Sequence, residues 1–141
     1  MAVSRADVVL KARGQREDFS DFLDSFAKTP FGNQLGRVTN EQSVNQSIRN
    51  LVSTSLGERL FQPLVGCSVN DSLFELNYDL QATTLEFLIR TTLTNNEPRA
   101  NVISVNVIPS TNENALSINI VYGLINNSDP QTLTFTLKRV R

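Results

Sequence analysis

The sequence predicts an α+β domain: a three-stranded antiparallel meander with two main helices packed on one face, preceded by an N-terminal arm. Two observations carry this reading. Up to Asn95, two segments repeat apolar residues at helical spacing; beyond Arg99, three segments alternate apolar and polar residues with period two. The expected division is an arm over residues 1–36 and an α+β domain over residues 37–141. A chain of 141 residues suits one such domain and buries a core without staples.

In the arm, Phe19, Phe22, Leu23 and Phe26 fall at i, i+3, i+4 and i+7, which suits one helical face. Asp18, Asp21 and Asp24 interrupt it, so an extended path over a partner fits as well. Lys11, Arg13 and Arg16 ahead of the aspartates read as a solvated segment, and Thr29-Pro30-Phe31-Gly32 closes the arm with turn chemistry.

The first helix is expected from Glu41 to Leu56. Thr39 or Asn40 serves as N-cap, with Gln42 placed as in a capping box. Val44, Ile48, Leu51, Val52 and Ser55 mark its inner face, and Gly57 suits the left-handed residue that ends it. A turn-rich loop follows through Phe61-Gln62-Pro63 and Gly66, anchored by Ser72, Leu73 and Phe74. The second helix starts at Asp79 as N-cap and runs to Asn95. Leu85, Leu88, Ile89 and Leu93 form its buried face; Glu86 and Arg90, four apart, are expected to pair in solvent.

Three strands complete the domain. Ile103, Val105 and Val107 form the apolar side of the first, and Leu116, Ile118, Ile120 and Tyr122 that of the second. Leu133, Phe135 and Leu137 alternate with Thr132, Thr134, Thr136 and Lys138 in the third. The links Pro109 to Asn114 and Ile125 to Gln131 have hairpin composition. Such a meander has two edges. No proline lies within Leu133 to Leu137, and charges come only after it, at Lys138, Arg139 and Arg141. That edge either accepts a strand from another chain or is covered by the arm.

Composition narrows function. The chain is 40% hydrophobic and 19% charged with a net charge of −1, so no overall field draws it to nucleic acid or membrane. No apolar run is long enough to span a bilayer, and Met1 to Leu10 lack signal-peptide features. Histidine is absent and Cys67 is the single cysteine, which removes His-dependent triads, Cys/His metal sites and internal disulfides. Cytoplasmic synthesis fits that cysteine usage. No cofactor is expected, and no catalytic or metal-ligating residue is assigned. Glu58, Glu75 and Glu97 are the carboxylates a glycoside hydrolase would need, but arginines flank the first and third, and no Trp supplies a sugar platform.

The helix-to-strand junction, Asn95-Asn96-Glu97-Pro98-Arg99, is the most distinctive stretch. Glu97 precedes proline and is biased toward extended backbone; an extended run puts Glu97 and Arg99 on one side. A solvated pair and a stiff docking corner both fit this spacing.

The ordered set Gln46-Ser47-Ile48-Arg49-Asn50-Leu51, Gly57-Glu58-Arg59, Gln62-Pro63, Gly66-Cys67, Leu73-Phe74-Glu75, Glu97-Pro98-Arg99 and the strand Val102 to Pro109 resembles the baseplate wedge family of contractile-tailed phages. This is the sheath-initiator family, also described as lysozyme-like baseplate components, with relatives in type VI secretion. The likeness covers about residues 40–138, and the acidic-aromatic run Asp21 to Phe26 is similar too; Leu64-Val65 departs from the family pattern. The resemblance implies a structural protein of the virion's tail baseplate, assembled in the host cytoplasm, not an enzyme. It implies that Glu97, Pro98 and Arg99 bind the wedge core bundle. It also implies that strands of the tail sheath protein extend the sheet, here at Leu133, Thr134, Phe135, Thr136 and Leu137. Partners are then baseplate wedge proteins and sheath, with no nucleic acid, membrane or small-molecule substrate. The alternative is a peptidoglycan-degrading, lysozyme-like tail enzyme.

Overall fold

The computed structural model describes residues 19–29, 32, 34–72, 78–110, 115–125 and 127–138. Expectations placed on Met1 to Asp18, Pro30, Phe31, Leu73 to Glu75, the Asp79 cap, and Arg139 and Arg141 lie outside the described residues or side chains. In chain order the elements are β1 (Ser20–Phe22), β2 (Arg37–Thr39), α1 (Asn40–Ser53), α2 (Val69–Ser72), α3 (Tyr78–Asn96), β3 (Ala100–Ser110), β4 (Ala115–Leu124) and β5 (Asn127–Lys138). They fall into two compact units, Met1–Asn40 and Glu41–Arg141.

In the first unit the aromatic segment is not helical: it is extended over Ser20–Phe22 and then turns, with Phe26 N–H donating to Leu23 O at 2.9 Å. β1 pairs antiparallel with β2, Ser20 opposite Thr39 and Phe22 opposite Arg37. An isolated helix this short is marginal in water, whereas backbone pairing with β2 satisfies the same groups. The chain turns back where Thr29 N–H donates to Gln34 O at 2.9 Å and Gly32 N–H to Thr29 O at 3.3 Å. Gly36 passes so close to Ala27 that a Cβ would stand 3.0 Å from its carbonyl oxygen.

In the second unit α1 buries Val44, Ile48, Leu51 and Val52, the face its spacing predicts. It ends at Ser53, three residues short of Leu56, so Ser55 is not helical. Thr54 closes the helix, its N–H and its hydroxyl both donating to Asn50 O. Gly57 does adopt a left-handed φ of 83°, but as the third residue of a turn in which Glu58 N–H donates to Ser55 O. The Glu58 carboxylate accepts Ser55 N–H at 2.9 Å from the other direction. The loop then closes on itself: Gly57 N–H reaches Pro63 O, and Cys67 N–H reaches Thr54 O at 2.8 Å. At Gly66, φ 143°, a Cβ would fall 2.7 Å from Thr54 O, so no side chain fits there. This pinned loop displays Leu60 and Phe61 at 90% and 97% exposure.

Helix α3 buries Leu85, Ile89 and Leu93, one residue per turn, and Leu88 rotates to an exposed flank. Glu86 and Arg90 do not pair with one another. Glu86 Oε1 accepts Val107 N–H at 3.0 Å, and Arg90 Nη2 donates to Ile103 O at 3.1 Å. Both side chains reach across to β3.

The sheet order is β3-β4-β5, antiparallel throughout. β4 is central and reads as expected, with Leu116, Ile118, Ile120 and Tyr122 buried. Tyr122 donates its hydroxyl to Asn45 Oδ1 of α1 at 2.8 Å; burial, with Glu41 and Glu97 nearby, pushes its pKa up to about 12. In β3 the register shifts between Val102 and Ser104, and Ile103, expected inside, is 53% exposed. The extra residue of a β-bulge carries it off the inner face. β5 begins at Asn127, not after Gln131, and includes Pro130 beside a second register shift. Proline is tolerated there because the strand lies at a sheet edge.

We predict that Gly66→Ala destabilises the fold more than Gly57→Ala. The first faces a backbone collision as well as an unfavourable φ; the second faces the φ alone, at a cost of about 1–2 kcal/mol. Urea midpoints of the two variants give the order.

Candidate functional site

Glu97 stands where α3 hands over to β3. Its N–H donates to Leu93 O at 2.8 Å, extending the helical bonding by one residue, and Ala100 N–H donates to Glu97 O at 3.2 Å. The junction is therefore a turn with Pro98 at its second position, which its locked φ favours, and not an extended run. The turn, rather than strand alternation, brings Glu97 and Arg99 together.

Their pairing is bidentate. Arg99 Nε donates to Glu97 Oε1 at 2.7 Å and Nη2 to Oε2 at 2.8 Å. Arg99 N–H adds a longer bond to Oε1, 3.4 Å. Two serines on α1, one turn apart, complete the cluster: Ser47 Oγ donates to Glu97 Oε2, and Arg99 Nη1 donates to Ser43 Oγ at 3.4 Å. The spacing of the pair pointed to Glu97 and Arg99 but not to these partners. Their signal was two hydroxyls on the same helical face as Val44 and Ile48.

Glu97 is only 3% exposed and the Arg99 side chain 26%, while Pro98 is exposed. The carboxylate is thus not solvated, and what the corner shows to its surroundings is Pro98 and a minor part of the Arg99 side chain. Burial pushes the Glu97 pKa up, but the bonds from Arg99 and Ser47, the arginine's charge and its backbone N–H outweigh this and hold it below the usual carboxylate range.

The carboxylates considered for hydrolysis are placed as follows. Glu58 caps its turn, Glu97 is locked as an ion, and Glu75 is outside the described residues. A glycosidase acid needs its proton held at higher pH, the reverse of the shift at Glu97. Cys67 is buried, which pushes its thiol up and away from the reactive thiolate. Among the described residues no group of three or more His, Cys, Asp or Glu could hold a metal ion.

The second feature singled out, Leu133 to Leu137, lies in β5 at the end of the sheet. Its pairing with β4 sets Phe135 opposite Ile118 and Leu133 opposite Ile120. Leu133 is buried, Phe135 and Leu137 are half-buried, and Thr134 and Thr136 are exposed. The corner and this strand are separate surfaces, joined through β3 and β4.

Arg99→Ala leaves Glu97 buried without its main partner and is expected to cost about 3–5 kcal/mol, read from the urea midpoint. The pH dependence has a definite sign. A lowered folded-state pKa stabilises fully above the ordinary carboxylate range, and that stability is lost as pH falls through the lowered value. Glu97→Gln should therefore flatten the decline of stability toward acid; a decline as steep as in the unsubstituted chain would contradict the assignment.

Residues 38–129 match the family model described as baseplate wedge protein gp25. The chain is 33% identical to the baseplate wedge protein gp25 of Enterobacteria phage T4 over 111 residues, 79% of this chain and 83% of that protein. Among solved structures, it resembles a Geobacter sulfurreducens protein named as a proposed tail lysozyme, with a TM-score of 0.65 and 26% identity over 72% of this chain and 92% of that one. It shares its fold with a chain of the type VI secretion baseplate complex, with a TM-score of 0.62 and 16% identity over 71% and 93%. The chain belongs to the baseplate wedge protein gp25 family.

Proposed function

We propose that the protein is a structural component of a contractile-tail baseplate wedge, placed in the virion's tail and assembled in the host cytoplasm. Other baseplate wedge proteins are its partners. The corner formed by Glu97, Pro98 and Arg99 docks on the wedge core bundle, and the edge of β5 starts the tail sheath by accepting a strand. Family membership supports the wedge role. The exposure of Leu60 and Phe61 on a hydrogen-bonded loop supports a protein that is covered in an assembly, because exposed apolar patches mark interaction surfaces.

Within the corner the residues divide their work. Glu97 faces inward and fixes the guanidinium of Arg99; Pro98 and the outer part of Arg99 meet the partner. A bidentate clamp holds arginine in one geometry, which lowers the entropy lost on docking.

The single observation that carries strand addition is the backbone orientation of β5. Val107 gives its N–H to Glu86, so the Val107–Ile118 pair is one that exchanges no bonds across β3 and β4. Ile118 then bonds toward β5, and its partner Phe135 bonds back. Alternation turns the backbone groups of Thr134 and Thr136 away from β4, toward the open side. The same parity turns Pro130, which has no N–H, outward as well.

The hydrolase alternative draws on the name of the Geobacter relative. The locked Glu97 carboxylate and the capping role of Glu58 favour the structural reading instead. A muralytic assay on purified protein separates the two, and turnover of peptidoglycan would overturn the structural role.

Pro98→Asp places a charge at the tip of the turn and leaves the buried bonds alone. The expected outcome is cooperative unfolding with failure to co-purify with the wedge proteins; normal incorporation argues against the corner. Thr134→Pro and Thr136→Pro each remove one outward N–H without touching the β4 ladder. Baseplates that form but carry no sheath are expected, as seen by electron microscopy. Sheaths of ordinary length would end the strand-addition reading.

A further inference from the structure

A three-stranded sheet presents two edges, and the two edges of this one differ. On β3, one backbone group each of Ile103 and Val107 is engaged by a side chain of α3: Arg90 donates to the Ile103 carbonyl, and Glu86 accepts the Val107 N–H. Val105, between them, is buried. Glu86 and Arg90 are one helical turn apart, and the bulge at Ile103 turns that carbonyl toward the helix. A strand adding to β3 would have to displace both bonds, each involving a charged side chain. No comparable side-chain bond to the outward groups of Thr132, Thr134 or Thr136 exists among the described residues.

We propose that Glu86 and Arg90 are edge guards that leave this protein with one strand-accepting edge, so that a second copy, or any other strand, is refused at β3. The consequence is topological. A unit with one open edge ends a strand-added array, and two such units pairing edge to edge close into a dimer. A unit with two open edges propagates without limit. One-sidedness thus lets the protein take part in strand addition without polymerising itself. The guarding of β3 stands on that edge alone; the count of one accepting edge rests on the reading of β5 proposed above, without requiring that its partner be a sheath protein.

Two measurements on the full chain test it. In the unsubstituted protein, Val107 N–H should exchange slowly with solvent, like amides inside the β3–β4 ladder, and Glu86→Ala should speed its exchange about tenfold or more relative to its neighbours. Rapid exchange at Val107 in the unsubstituted chain overturns the proposal, whatever the variants do. In sedimentation at rising concentration the unsubstituted chain should go no further than a dimer. The Glu86→Ala/Arg90→Ala double variant should form larger, concentration-dependent species, and adding Thr134→Pro should return these to a dimer or smaller. A folded double variant that associates no further than the unsubstituted chain also overturns it.

Discussion

Burying a carboxylate at the end of a helix is costly, since a lone ion loses several kcal/mol of solvation even after the protein relaxes around it. Here the carboxylate of Glu97 accepts from the guanidinium and N–H of Arg99 and from Ser47, while Ser43 accepts from the far side of the same guanidinium. Those donors come from α1 and from the first residues after α3, so one ion joins the helix that precedes it, the strand that follows it and the helix packed beside both. Apolar burial by Leu93 and Val107 is not directional, and this cluster adds a directional tie between α1 and the junction of α3 with β3.

The same junction governs the sheet. With α3 held along β3, Glu86 and Arg90 come within reach of backbone groups that an edge strand would otherwise expose. Helix α1 is tied to the other strands by Tyr122 to Asn45 and by Gln131 Nε2 to Glu41 Oε1 at 3.3 Å. These polar links fix orientation where apolar contact supplies only attraction. The outcome is a sheet with one edge engaged by its own helix and one directed outward.

The distinctive acid of this baseplate wedge family member is buried, paired and held ionised, a state that suits a fixed structural contact better than proton transfer. The closed loop from Ser55 to Cys67 has Gly66 where no side chain fits, Gly57 at a left-handed φ, and apolar side chains held outward on a hydrogen-bonded frame.

Local pattern alone determined the α+β class, the inner faces of α1 and β4 and the pairing of Glu97 with Arg99, because periodicity and chain breaks report directly on burial and direction. The ordered short motifs were enough to indicate the family. Other features depended on groups far apart in the chain. Whether the start of the Phe19 to Phe26 segment coils or extends was settled by the backbone of β2, whose residues lie 15 to 19 positions beyond their partners in β1. Ile103 left the inner face because β4 imposes a register that one extra residue breaks. Glu86 and Arg90 preferred β3 to each other because a backbone group left unpaired costs more than an exposed ion pair returns. Glu97 and Arg99 met in a turn, and only packing against α1 gave them Ser43 and Ser47 as partners and made a solvated pair into a buried one. Spacing along a chain records which side chains share a face; which polar group each finally satisfies is decided by what the fold brings opposite.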